Sequence, residues 1–248
     1  MYEVDIFEKT KEGMCSALSD AVSFTENFAS IANAEYLITT NVAQKISELG
    51  PLRGPAQIST HVEMPTKDFA SKCVPLMKQP IVKNFSDLHK KTVFRKPKNT
   101  ERNGRIDIAV LKQGTLENTP ICAIELKGFN PAKNLVIKDL NRNLEYFKLY
   151  CSTGKSQIEF TQFCAIYQFS KAILKSDIPK NIQAVTTKYQ SYLSALSIPS
   201  DVEFDMKVFS ASERLLNGDE SDDEYDSISH ELHHHVGVII IFRWKSQP

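Results

Sequence analysis

The sequence predicts an α/β fold in which a central mixed sheet is flanked by helices. Three observations lead there. Apolar residues recur at helical spacing in long segments. They alternate, or run unbroken, in short segments of strand length. The two kinds of segment interleave along the chain, with no internal repeat and no Pro- or Ser-rich linker between them. A single domain spanning residues 1–248 is the expected organisation, and this length suffices for one sizeable core.

Taken in order, the first helix is expected from about Asp20 to Leu49, with the stripe Phe28, Ile31, Ile38, Val42, Ile46 and Leu49. Gly50-Pro51 ends it. One acid, Glu35, interrupts that stripe. Ile58 to Met64 alternates as a strand does, a short helix fits Lys67–Met77, and Thr92–Lys96 reads as a further strand. After a polar turn come Arg105–Lys112 and Pro120–Lys127, joined by the short polar loop Gln113–Thr119 and therefore read as an antiparallel hairpin. Pro131 opens a helix to about Tyr150 with the stripe Ile137, Leu140, Leu144 and Phe147. Phe160–Phe169 reads as a central strand and Asn181–Leu196 as a helix with Ile182, Val185, Tyr189 and Leu193 on one face. Val202–Phe209 alternates, with Val202, Phe204, Met206 and Val208 inward, and Val236–Arg243 is a final buried-type strand. An acidic loop at about 214–230, expected to be solvated and mobile, separates the last two strands.

Composition narrows the class. Hydrophobic residues make up 42% and charged residues 24%, as in ordinary globular proteins. The longest apolar run, Val236 to Phe242, is far too short to span a bilayer, so no membrane association is expected. The acidic start (Glu3, Asp5) does not fit a secretory signal, and a cytoplasmic location follows as the expectation. Five scattered cysteines without a C-x-x-C pair argue against a disulfide framework and against a cysteine-rich metal cluster. Lysine and arginine together balance aspartate and glutamate at 30 each, yet the charge is unevenly placed. Seven bases (Lys90, Lys91, Arg95, Lys96, Lys98, Arg102 and Arg105) stand against the single acid Glu101, while residues 217–226 hold six acids and no base.

The hairpin concentrates the chemistry. Glu125 and Lys127 lie two residues apart in one strand and share a face. Asp107, near the start of the preceding strand, falls opposite them when the turn is closed. Two carboxylates and an ammonium thus meet among Ile, Val, Leu and Ala, where ionised groups need partners or a metal. Repulsion between close carboxylates is relieved by a hard divalent cation, and Mg²⁺ accepts such oxygen ligands while keeping several waters.

The stretch Arg105-Ile106-Asp107-Ile108-Ala109-Val110, followed by Ile124-Glu125-Leu126-Lys127-Gly128, resembles the PD-(D/E)XK nuclease superfamily. Ile106 stands where that family's proline would be. The resemblance covers the hairpin closely and the helix–strand order from about Asp20 to Phe169 loosely. It implies a restriction-endonuclease-like core and metal-dependent hydrolysis of phosphodiester bonds, in DNA before RNA, in restriction, phage defence or repair. It implies that Asp107 and Glu125 hold Mg²⁺, for which Mn²⁺ substitutes, with the Leu126 carbonyl. Lys127 would orient the attacking water. Glu35, on a helix before the sheet, would complete the site or bind a second ion. The alternative from another class is an inactive nuclease-fold subunit for nucleic-acid binding or assembly. The helix after Lys127 has Asn141 and Glu145 where the recombination-exonuclease branch has Gln-x-x-x-Tyr.

The basic run leads directly into Asp107 and is expected to contact phosphates, giving salt-sensitive binding. Lys133, Lys138 and Arg142 on the next helix are weaker candidates for the same role. A homodimer or larger assembly stays open. His230-Glu231-Leu232-His233-His234 matches H-E-x-x-H formally, but a zinc protease needs it on a helix, and a strand is expected to begin at Val236. Gly154-Lys155-Ser156 lacks the upstream glycine of a phosphate loop and reads as a turn.

Overall fold

Strands rich in Ile, Val and Phe on both faces must be covered from both sides, and helices supply the cover. A computed structural model describes residues 2–25, 35–50, 57–76, 104–170, 174–218 and 231–245. In chain order its elements are helix α1 (Tyr2–Thr25), helix α2 (Glu35–Ser47), strand β1 (Ile58–Pro65) and helix α3 (Thr66–Lys72). Strands β2 (Arg105–Lys112) and β3 (Thr119–Phe129) and helix α4 (Lys133–Phe147) follow. Then come the short strands β4 (Tyr150–Cys151) and β5 (Gly154–Lys155), strand β6 (Phe160–Gln168), helix α5 (Asp177–Leu193), and strands β7 (Val202–Arg214) and β8 (His233–Trp244).

Six strands form one mixed sheet in the order β1-β2-β3-β6-β8-β7. The expected β2–β3 hairpin is antiparallel, and β3 runs parallel to β6 through the α4 crossover. The β6–β8 and β7–β8 pairs are antiparallel. Against one face, α1 and α2 pack Ile6, Leu18, Ile38 and Val42 onto Ile108, Ile124, Leu126, Cys164 and Ile239. Against the other, α3, α4 and α5 pack Phe69, Leu140, Val185 and Tyr189 onto Ala109, Ala123, Phe163 and Ile240. No helix among the described residues is long and apolar enough to cross a membrane.

Several expectations are corrected. The single helix from Asp20 to Leu49 is two helices, and the residues between them, with Phe28 and Ile31, lie outside the described residues. The stretch before Asp20 is helical because Ile6, Met14, Ala17, Leu18 and Ala21 bury one face. Thr10 and Gly13 hide that stripe in the sequence, yet both serve packing. Thr10 is buried and donates to Gln162 Oε1 at 2.9 Å. A Cβ on Gly13 would stand 2.5 Å from the Val42 Cα, so the glycine lets α1 and α2 cross closely.

The helix after Pro131 buries Val136, Asp139, Leu140, Asn143, Leu144 and Phe147, whereas Ile137 is only partly covered. Strand β7 runs on to Arg214, and Phe204 on it is 45% exposed and not inward. Strand β8 starts at His233, three residues before the expected Val236, so the histidines of the H-E-x-x-H match from His233 onward stand on a strand. Gly154 (φ 151°) forms part of the small β4–β5 hairpin, in keeping with the expected turn. The strand expected at Thr92–Lys96, and the acidic stretch from residue 219 to 230, lie outside the described residues.

Candidate active site

Alternation along β3 sets the site's orientation. Ile124 and Leu126 enter the core beneath α1 and α2, and Ala123 enters the opposite one. Glu125 and Lys127 therefore project toward α4. Glu125 is only 2% exposed. The β2–β3 register pairs Ile108 with Ile124, and one step further Asp107 falls across from Glu125. At that step a side chain replaces backbone pairing: the Leu126 N–H donates to Asp107 Oδ2 at 2.6 Å. The same level of the sheet is irregular on its other side. Glu63 of β1 has φ 56°, and the β1–β2 register passes from Val62↔Ile108 to Met64↔Ile106 across it. A non-glycine residue in that conformation stores strain, a frequent companion of functional sites.

Lys127 is surrounded by oxygen. Its Nζ lies 3.2 Å from Glu35 Oε1, 3.3 Å from Asp139 Oδ2 and 2.9 Å from the Leu126 carbonyl. Glu35 Oε2 also accepts the Gly128 N–H at 3.3 Å. Glu35 opens the described part of α2, and its side chain is 40% exposed. Asp139 is nearly fully buried on the inner face of α4 and takes Arg142 Nη1 on Oδ1 at 3.0 Å. The four predicted residues thus gather at one end of β3: Asp107 and Glu125 across the hairpin, and Glu35 through Lys127 and Gly128.

Electrostatics distinguishes the two titrating members. Burial pushes the Asp107 carboxyl up to about 6, with repulsion from Glu35 and Glu63 adding to it and the Leu126 N–H and Lys127 opposing it. For Lys127, burial pulls downward, but Asp139, Glu35 and Asp107 outweigh it and hold the amine above its ordinary value. Lys127 is an ammonium at neutral pH. The available donors are hard oxygens, the class that suits Mg²⁺ and not a thiol-seeking metal. Among the described residues no three His, Cys, Asp or Glu side chains gather around one ion position.

Three residues of this neighbourhood escaped the sequence reading: Asp139, Arg142 in its role as the partner of Asp139, and Glu63. Asp139 had a signal, because it and Asn143 are polar residues one turn apart on the apolar face of α4. Glu63 had none, since its relevance lies in an irregular backbone. Of the basic run, only Arg105 is described; it is exposed, and its Nη1 approaches the Glu63 carbonyl at 3.5 Å. Lys90, Lys91, Arg95, Lys96, Lys98 and Arg102 lie outside the described residues. The run ends beside Arg142, since a Cβ on Gly104 would stand 3.8 Å from Arg142 Nη2. Lys133 on α4 sits over the Tyr192 ring, 5.5 Å from its centre, and Lys138 is exposed.

A second polar cluster occupies the start of β8. His234 bridges Asn181 Nδ2 (3.0 Å) and Ser210 Oγ (3.1 Å), and His233 bridges the Glu231 carbonyl (2.7 Å) and Ser212 Oγ (2.9 Å). Burial lowers all three histidines of the cluster and takes His235 to about 3.

Set against family models, curated proteins and solved structures, the chain matches none of them.

Proposed function

We propose that this chain is a metal-dependent nuclease with a restriction-endonuclease-like core, hydrolysing phosphodiester bonds, in DNA before RNA. The observation that carries this reading is the convergence at the end of β3. Asp107 interrupts the hairpin ladder opposite Glu125, and Lys127 is held as an ammonium between Glu35 and Asp139. Asp107 and Glu125 would hold Mg²⁺, or Mn²⁺ in its place, with the Leu126 carbonyl and Glu35 as further oxygen donors. The ion would acidify its water and stabilise charge on a phosphoryl oxygen.

The protein's own groups do the rest. Lys127 presents a fixed positive charge where the attacking oxygen and the phosphoryl group gain negative charge. Asp139 positions it, and Arg142 in turn holds Asp139. Arg105 and the basic run before it would neutralise the flanking phosphates, and the strength of binding would fall with salt.

A second reading has one observation in its favour: the Leu126 carbonyl, expected to face the ion, accepts the Lys127 ammonium instead. On that reading the chain binds nucleic acid, or assembles on it, without cutting. Incubation with Mg²⁺ or Mn²⁺ and plasmid, linear duplex, single-stranded DNA or RNA separates the two. Cleavage abolished by Lys127→Ala or Asp107→Ala supports the enzyme. Salt-sensitive binding without cleavage of any substrate leaves the binding module.

A further inference from the structure

His235 is fully buried, and neither of its ring nitrogens has a hydrogen-bond partner among the described residues. A neutral imidazole carries one N–H and one lone pair, and leaving both unmet inside a protein is unfavourable. One side of the ring is closed by Phe129, with ring centres 5.4 Å apart. His233, two residues away, shares its face of β8, and the two imidazole centres are 5.1 Å apart at an interplanar angle of 41°.

That spacing has a chemical meaning. Two imidazoles bound to one tetrahedral zinc, each with a nitrogen about 2.0–2.1 Å from it, have ring centres about 5 Å apart. His233 is also prepared as a ligand. Its Nδ1 lies 2.7 Å from the Glu231 carbonyl, which can only accept, so Nδ1 carries the proton and Nε2 keeps its lone pair. Metal-bound histidines are held by such an outer hydrogen bond to a carbonyl or carboxylate. At present that lone pair is offered to the Ser212 hydroxyl at 2.9 Å.

His233 also opens onto solvent space. A groove of about 450 Å³ between α1 and the β7–β8 pair is lined by His233, Ser212, Glu213, Ser19 and Cys15. It supplies an entry path and room for water or an anion as further ligands.

We propose that His233 and His235 form a chelating pair for a borderline-soft divalent ion, Zn²⁺ foremost, at the head of this groove. Nitrogen donors select this class of metal, whereas the oxygen set around Asp107 suits Mg²⁺. Among the described residues no third His, Cys, Asp or Glu joins the pair. The bound ion therefore keeps exchangeable positions facing the groove. The pair stands apart from the H-E-x-x-H pattern, which would need His230 and His234. His234 points to the other side of the sheet, toward Asn181.

The test uses the untagged full-length chain, stripped with a chelator and titrated with Zn²⁺ by calorimetry, with Co²⁺ as the spectroscopic probe. The expected result is saturable binding of one ion per chain, with a visible Co²⁺ band that Zn²⁺ displaces. Affinity should weaken at least about tenfold in His233→Asn and in His235→Phe. It should be unchanged in His234→Asn. Circular dichroism establishes that each variant is folded; should His235→Phe fail there, His233→Asn at the groove mouth decides alone. Absence of saturable binding by the folded wild-type chain overturns the proposal. So does binding that survives His233→Asn.

Discussion

Lys127 is an ammonium that three oxygens enclose, two of them carboxylate, and one of those carboxylates is almost wholly buried. Removing its charge while keeping its length, as in Lys127→Met, leaves Glu35 with the Gly128 N–H and Asp139 with Arg142, and takes away the ammonium between the two carboxylates. Folding stability should fall by about 1–3 kcal/mol, read from urea denaturation. Asp107 should behave in the opposite sense. Its folded pKa of about 6 lies above the ordinary carboxylate value, so its contribution to stability is complete below pH 4 and is lost as pH rises through 6. Asp107→Asn can still accept the Leu126 N–H and carries no charge. In metal-free protein it should raise Tm at pH 8 and make little difference at pH 4, while removing any Mg²⁺-dependent cleavage. A Tm at pH 8 equal to or below that of the wild type would contradict the burial of this carboxylate. Asp107, Glu125 and Lys127 were legible in the sequence because strand alternation and a short hairpin suffice to bring them together. Glu35 was legible as an acid in an apolar stripe, on the segment that forms α2. Arg142 and Glu63 were not legible as neighbours of the site. Their placement depends on the packing of α4 against β3 and on a strained turn of β1, neither of which leaves a periodic trace.

Helices α1 and α2 meet through Gly13, and this contact explains why the first helix was hidden. A glycine and a threonine in mid-helix read as interruptions by propensity, yet here the glycine permits backbone contact and the threonine donates to the side-chain oxygen of a buried glutamine. Tertiary packing overrides local preference. Gly13→Ala should therefore destabilise the protein although alanine is the better helix former. A Cβ at 2.5 Å from the Val42 backbone forces the helices apart, at a cost of about 1–3 kcal/mol against a propensity gain of about 1. Chemical denaturation of the variant checks the sign. The strand elements were easier to recognise, since β2, β3, β6 and β8 carry apolar runs whose length and flanking turns exclude helices. The start of β8 was missed because three consecutive histidines look polar, whereas all three are buried.

Across the whole molecule, two cores sandwich a six-stranded mixed sheet, and both polar clusters are set into that sheet. The histidines of β8 give it an acid sensitivity. Because burial depresses His235 to about 3, its contribution to stability is present above its unfolded value near 6.5 and is lost as pH falls toward 3. His235→Phe, compared with the wild type after chelation, should unfold at a lower pH in an acid titration followed by circular dichroism. An unchanged acid midpoint would show that His235 is not the group being charged. The order of strands, with β3 parallel to β6 through α4, is what brings Asp139 over Lys127. That topology was only partly predictable, because the sequence shows strands and helices but not which strand lies beside which. The measurement that bears most directly on function is cleavage of plasmid, linear duplex and single-stranded DNA by the purified chain in Mg²⁺ or Mn²⁺, run beside Lys127→Ala. Cleavage by the wild type that falls at least about 100-fold in the variant is the predicted result. Cleavage that persists undiminished without Lys127, or its absence on every substrate, would contradict an active site at Asp107, Glu125 and Lys127.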